Sequence, residues 1–175
     1  VIQKKRNGTS DWWFYTTAVD GSYDYLKLNS TGAKSDYAQT APTSTTFVSH
    51  GWGSDTMVAY CFAEISGYSK IDSYSGSGSA GKAVTGLGFS PAWIMLKRTD
   101  TTGNWVIFDN TRSPQNTADE AVSADLSDRE YTSADGVVGI DFDSDGFTLQ
   151  DNHTTRNASG GTYIYMAFAD IFFFF

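Results

Sequence analysis

The chain repeats itself, and that repetition is its tightest constraint. Val1-Ile-Gln-Lys-Lys-Arg6 followed by Asp11-Trp-Trp-Phe-Tyr15 aligns without a gap on Trp93-Ile-Met-Leu-Lys-Arg98 followed by Gly103-Asn-Trp-Val-Ile-Phe108. A constant offset of 92 places Lys5 on Lys97, Arg6 on Arg98 and Trp13 on Trp105. Thr46-Phe47-Val48 answers Gly146-Phe147-Thr148 at an offset of 100, and Met57 to Glu64 answers Tyr163 to Asp170 at 106. The offset grows only through loop-like stretches, so the copies keep their strands and differ in their connections. Duplication on this scale points to a scaffold assembled from two related units.

What packs those units is aromatic. The chain of 175 residues holds 12 Phe, 10 Tyr and 5 Trp, while only 18% of it is charged. Aromatic and β-branched side chains suit a pleated surface, so the composition favours sheets. Strands are expected near 2–6, 12–18, 24–28, 46–49, 56–64, 71–75, 84–88, 92–98, 104–109, 121–125, 137–142, 146–150 and 162–169. Asp20-Gly21, Thr102-Gly103, Asp135-Gly136 and Asp145-Gly146 supply turns between them. Helix signals are weak, and the best of them, 116–126, could hold a turn or two. The expected fold is all-β, an antiparallel β-sandwich of jelly-roll or concanavalin-like type built from two pseudo-repeats. These span 1–67 and 84–170, joined by the Gly/Ser-rich segment 75–81. Two tandem small β domains are the alternative, though each would bury little core. Trp13 and Trp105, the matched pair, are assigned to the core.

Four segments carry a resemblance. Tyr60-Cys-Phe-Ala-Glu-Ile-Ser-Gly-Tyr-Ser-Lys70, Gly88-Phe-Ser-Pro-Ala-Trp-Ile-Met-Leu-Lys-Arg98, Asp141-Phe-Asp-Ser-Asp-Gly-Phe147 and Gly161-Thr-Tyr-Ile-Tyr-Met-Ala-Phe-Ala169 occur in this order. Together they resemble a repeated domain of bacteriophage tail-fibre and appendage proteins, similar in class to concanavalin and laminin-G sandwiches. The resemblance covers nearly the whole chain. It implies an extracellular or virion structural role and brings no catalytic residues with it.

The residues argue the same way about chemistry. A formal charge of −8 disfavours nucleic acid, whose phosphates need clustered Lys and Arg. No apolar run is long enough for membrane insertion. His50 and His153 stand in polar turns, no Gly-x-Ser-x-Gly is present, and no acid sits in an apolar stretch that would raise its pKa. The expectation is therefore a protein that is not an enzyme and needs no cofactor. Cys61, inside an apolar strand, reads as a buried inert thiol. Asp141, Asp143 and Asp145 mimic the first half of an EF-hand loop, a weak calcium pattern. The competing reading is a hairpin, with Ile140 and Phe142 inward and Ser144-Asp-Gly146 as its turn. Asn7, Asn29, Asn152 and Asn157 head glycosylation sequons.

Both ends suggest assembly. Val84 to Ala92, the lead-in to the second copy, has no counterpart before Val1, so the first copy lacks a strand and should expose an edge. The apolar run Ile171-Phe172-Phe173-Phe174-Phe175 wants burial. Val1 and Ile2, or Ile171 to Phe175, are thus the expected subunit interface, joined by strand addition to another copy. A head-to-tail contact of that kind builds an open filament. The expected function is a structural subunit of an extracellular fibre or phage tail fibre, with itself as partner. The alternative is a glycan-binding adhesion module that stacks cell-surface sugars on Trp12 and Trp52.

Overall fold

The computed structural model describes residues 1–50 and 53–170. The first sheet is formed by β1 (Ile2–Lys5), β2 (Trp13–Thr16), β3 (Asp24–Lys27), β4 (Ser35–Asp36) and β5 (Met57–Tyr60). They pair in the order β4-β3-β2-β1-β5. The second sheet comprises β6 (Ser69–Ser75), β8 (Pro91–Arg98), β9 (Trp105–Asp109), β10 (Val122–Ser123) and β13 (Thr162–Ala169). Between these in sequence lie β7 (Lys82–Thr85), β11 (Ile140–Asp143) and β12 (Gly146–Leu149). The second sheet has the order β10-β9-β8-β13-β6 and the third β11-β12-β7, every pairing antiparallel. The all-β antiparallel expectation holds; the layering is sandwich-like, with three sheets where a jelly roll has two.

The second sheet is the middle layer because it is apolar on both faces. Ile94, Leu96, Val106, Phe108, Tyr163 and Tyr165 pack with Phe147, Leu149 and Ile140 of the third sheet. On the opposite face Met95, Trp105, Ile164 and Met166 pack with Phe14 and Leu26 of the first. Successive strand residues point to opposite faces, so this sheet must be apolar at nearly every position. Trp105 joins the two layers: its ring lies 5.2 Å from that of Phe14, and its Nε1–H donates to Lys27 O at 2.8 Å. Lys97 is wholly buried beside it and donates from Nζ to Thr31 O at 3.1 Å and Arg98 O at 2.8 Å.

Some of the segments that align in sequence hold similar places and others do not. β1 lies between β2 and β5 as β8 lies between β9 and β13. Their registers differ: Ile2 faces Phe14, whose counterpart is Val106, but Ile94 faces Phe108. Thr46 to Val48 is loop where its match is β12, and Phe47 and Val48 are exposed. Of the lead-in Val84 to Ala92, Val84 and Thr85 end β7, an edge strand of the third sheet paired with β12, and Pro91 and Ala92 begin β8.

Other expectations change for local reasons. Residues 116–126 hold the two-residue β10 and no helical turn; a short helix, Ser133–Asp135, lies further on. β4 had no sequence signal, being a serine and an aspartate. The segment 75–81 is not a free linker: Gly76 N donates to Gly161 O, Gly78 N to Asn157 O and Gly81 N to Leu149 O. Trp13 lies on the outer face of the first sheet, half-buried against Tyr25 under Lys27, so it is not the core twin of Trp105. Cys61 falls just past the end of β5 and is exposed, not buried.

Replacing Trp105 with Ala removes a buried ring and one of the two hydrogen bonds that the Lys27 carbonyl accepts, leaving that from Ser30 N; urea denaturation should register a loss of about 3–5 kcal/mol. Lys97 gives a pH test, since burial lowers its pKa from 10.5 to about 8. Between those values the unfolded chain binds the extra proton, so stability rises with pH through this window; below it the cost is constant. Relative to Lys97→Met, the native protein should gain about 3 kcal/mol as pH climbs from 8 to 10.5. Using that difference cancels the contribution of the buried tyrosines.

Candidate functional site

Three of the six sheet edges, β6, β10 and β11, are closed by the chain's own groups. On β6 the alternation of the ladder turns residues 69, 71 and 73 outward, as Ala169 N to Tyr68 O and Gly76 N to Gly161 O fix. Ser69 N donates to Ile65 O, Ile71 N to Glu64 Oε1 and Ser73 N to Asp72 Oδ1. On β11, Ile140 pairs with Ala118, and the side-chain amide of Asn116 accepts from Phe142 N and donates to Phe142 O. Ala121, just before β10, pairs with Tyr131. β4 is two exposed residues long. Short or side-chain-capped strands cannot easily be extended.

β5 differs. Arg6 N donates to Thr56 O, so positions 56, 58 and 60 bond to β1 and the N–H and C=O of Met57 and Ala59 face outward. No strand pairs with that side among the described residues. Around it the surface is apolar: Trp12 is 36% exposed, Tyr60 48%, Phe62 41% and Ile65 53%. Trp12 and Tyr60 stack at 6.4 Å between centroids, with Lys4 Nζ 5.6 Å from the indole. β7 also lacks a cap, but it is flanked by Gly81 and Gly86 and starts on Lys82, an edge-blunting residue.

The terminal candidates fall differently. Val1 and Tyr15 exchange both backbone hydrogen bonds, and Ile2 is paired with Phe14 on one side and Tyr60 on the other. Residues in a doubly paired strand are not free for donation, so the open edge lies one strand further out than expected. Ile171 to Phe175 lie outside the described residues, as does Trp52. Sequence reasoning missed Tyr60, Phe62 and Ile65, because an apolar run reads the same whether its flank is paired or open.

The acidic hairpin holds no ion-ready cluster. Asp141 accepts from Thr117 Oγ1 at 2.5 Å and from Gln150, Asp143 from Thr148 Oγ1 at 2.7 Å, and Asp145 from Gly86 N and Gly88 N. Ser144 and Asp145 form the turn, and Gly146 at φ 150° brings the chain so close that a Cβ would sit 2.0 Å from Val84 O. Among the described residues no three acids, histidines or cysteines are grouped to hold a metal. Of the sequon residues, Asn7, Asn29 and Asn152 are exposed, whereas Asn157 is fully buried and donates to Ser79 O and Asp151 O. Asn157 is a structural amide and no glycan acceptor.

Two polar clusters complete the first sheet. Its outer face carries Tyr15, with the His50 ring 4.0 Å away and His50 Nδ1 2.7 Å from Tyr37 Oη. Burial pushes the Tyr23 phenol up to about 12 and holds the His50 imidazole below its ordinary value. Lys34 Nζ meets Asp20 at 2.7 Å, Asp24 at 2.9 Å and Asp36 at 2.8 Å. Burial raises the Asp24 carboxyl despite that lysine. A cleft of about 500 Å³ opens between the end of β2 and β6, with Phe14, Ile71 and Met166 on its walls and Glu64, Lys70 and Asp72 around it.

No curated protein and no solved structure matches the chain. Residues 1–171 match the family described as "Domain of unknown function (DUF7483)", and the chain belongs to that family.

Proposed function

We propose that this protein is a non-catalytic structural subunit of an extracellular fibre or virion appendage, and that it assembles by strand addition to another copy. The open edge of β5, framed by exposed aromatic side chains, is the observation that supports this reading. An added strand would bond to the outward groups of Met57 and Ala59, while Tyr60, Phe62 and Ile65 would cover its side chains. Main-chain bonds supply affinity in this mode and the flanking pockets supply specificity. Ile171 to Phe175 of a neighbouring copy is the sequence's candidate for that strand, since burying each Phe is worth about 1.5–3 kcal/mol. The contact is heterologous, so repetition gives a filament unless its rotation closes. A duplicated origin of the first two sheets, in the sandwich class of the phage-appendage domains the sequence resembles, belongs to the same reading.

Ala59→Pro separates assembly from folding. Proline at an outward-facing position of an edge strand deletes only a donor that the subunit itself does not use. Electron microscopy at neutral pH should find filaments of the native protein. Ala59→Pro and a deletion of 171–175 should each give single subunits with an unchanged circular dichroism spectrum. Filaments that survive Ala59→Pro, or a native protein that stays monomeric when concentrated, would refute the assembly reading.

A further inference from the structure

A second cavity, of about 270 Å³, lies far from β5 in the fold, where the third sheet stops short of covering β9 and β10. Its apolar wall is Val106, Ala121 and Val137, with Tyr131 alongside. Four polar groups on its lining make no hydrogen bond to the described residues through the atoms concerned: the Asn104 amide, the Ser123 hydroxyl, Nε2 of His153 and Nη1 of Arg156. Arg156 is 4% exposed and fixed from behind, its Nε donating to Asp151 Oδ1 at 3.0 Å and its Nη2 to Asp151 Oδ2, with the guanidinium carbon 5.7 Å from the Phe108 ring. Thr155 Oγ1, 2.8 Å from Nδ1, orients His153.

We propose that this cavity binds one neutral sugar ring. Its charges are already matched: Arg156 by Asp151, and Asp135 on the rim by Arg129 at 2.6 Å. An anion would find no free positive charge there, and a cation no free carboxylate. What remains is an apolar wall, a tyrosine ring and four unengaged donors or acceptors. A pyranose offers the complement, hydroxyls around its rim and C–H groups on its face. The volume equals roughly nine waters at ~30 Å³ each, the scale of one ring and not of a chain. Burial, and then the Arg156 charge, keep the His153 imidazole below its ordinary value, so at neutral pH its Nε2 can meet a hydroxyl without carrying charge.

The test is a titration of the full chain with methyl glucoside, galactoside and mannoside, following the His153 ring signals by NMR. At least one should shift them saturably, and Asn104→Leu and His153→Leu should each weaken binding about tenfold, read on the remaining cavity signals. Both variants must retain the native amide spectrum, and Trp12→Ala must leave the affinity unchanged. No response to any of the three glycosides, binding lost only with Trp12→Ala, or preference for glucuronate over glucoside would overturn the assignment. None of these readouts depends on assembly, so this inference and the filament reading stand or fall separately.

Discussion

The contact of Trp105 with the first sheet is what the rest of the structure depends on. A middle sheet that is apolar on both faces cannot stand in water on either side, and the indole is where its second face is sealed. The ring meets Phe14 while the N–H reaches Lys27 O, so apolar burial and a directional bond fix the same distance between layers. Thr31 O, a few residues along, accepts from both Lys97 Nζ and Gly103 N. These bonds tie the loop after β3 to the hairpin of β8 and β9. Once the first sheet is held there, β1 and β5 follow by pairing, and the open edge is carried to the outside of the stack.

That stacking accounts for which parts of the fold could be read in advance. Strands of the middle sheet were legible because each is long and apolar: β8, β9 and β13 lie where the pattern puts them. The first sheet was harder, since one of its faces is covered by Tyr37 and His50 on a loop in place of a third sheet. Trp13 therefore looks like Trp105 in sequence yet packs in a half-wet tyrosine cluster. Thr46 to Val48 resembles β12 but has no β7 to pair with, and it remains loop. Cys61 was misplaced because alternation cannot reveal that β1, its only neighbour on that side, has run out at Ile2.

The candidate site was not legible at all, because the positions that form it are set by tertiary neighbours. Tyr60 and Phe62 are apolar residues beside an unpaired strand, and nothing within Met57 to Glu64 distinguishes them from core. The cavity beside β10 is assembled from four separate segments, around Asn104, Ser123, Tyr131 and Arg156. No spacing rule connects them.

Side-chain amides recur where the backbone has no strand to pair with. A carboxamide donates and accepts at once, so one Asn or Gln can replace a stretch of strand where a carboxylate could only accept. Gln3 accepts from His50 N and donates to Val48 O, holding the loop over the first sheet. Asn116 does the same for Phe142, and Asn157 binds Ser77 N, Ser79 O and Asp151 O in the Gly/Ser-rich segment. Asn7 accepts from Thr56 N and donates to Ser54 O on the side of β5 that faces β1, so it leaves the outer side of Met57 and Ala59 untouched. Among the described residues no amide reaches Met57 or Ala59, and on the reading proposed it is at these outward backbone groups that a second chain adds without displacing a capping group.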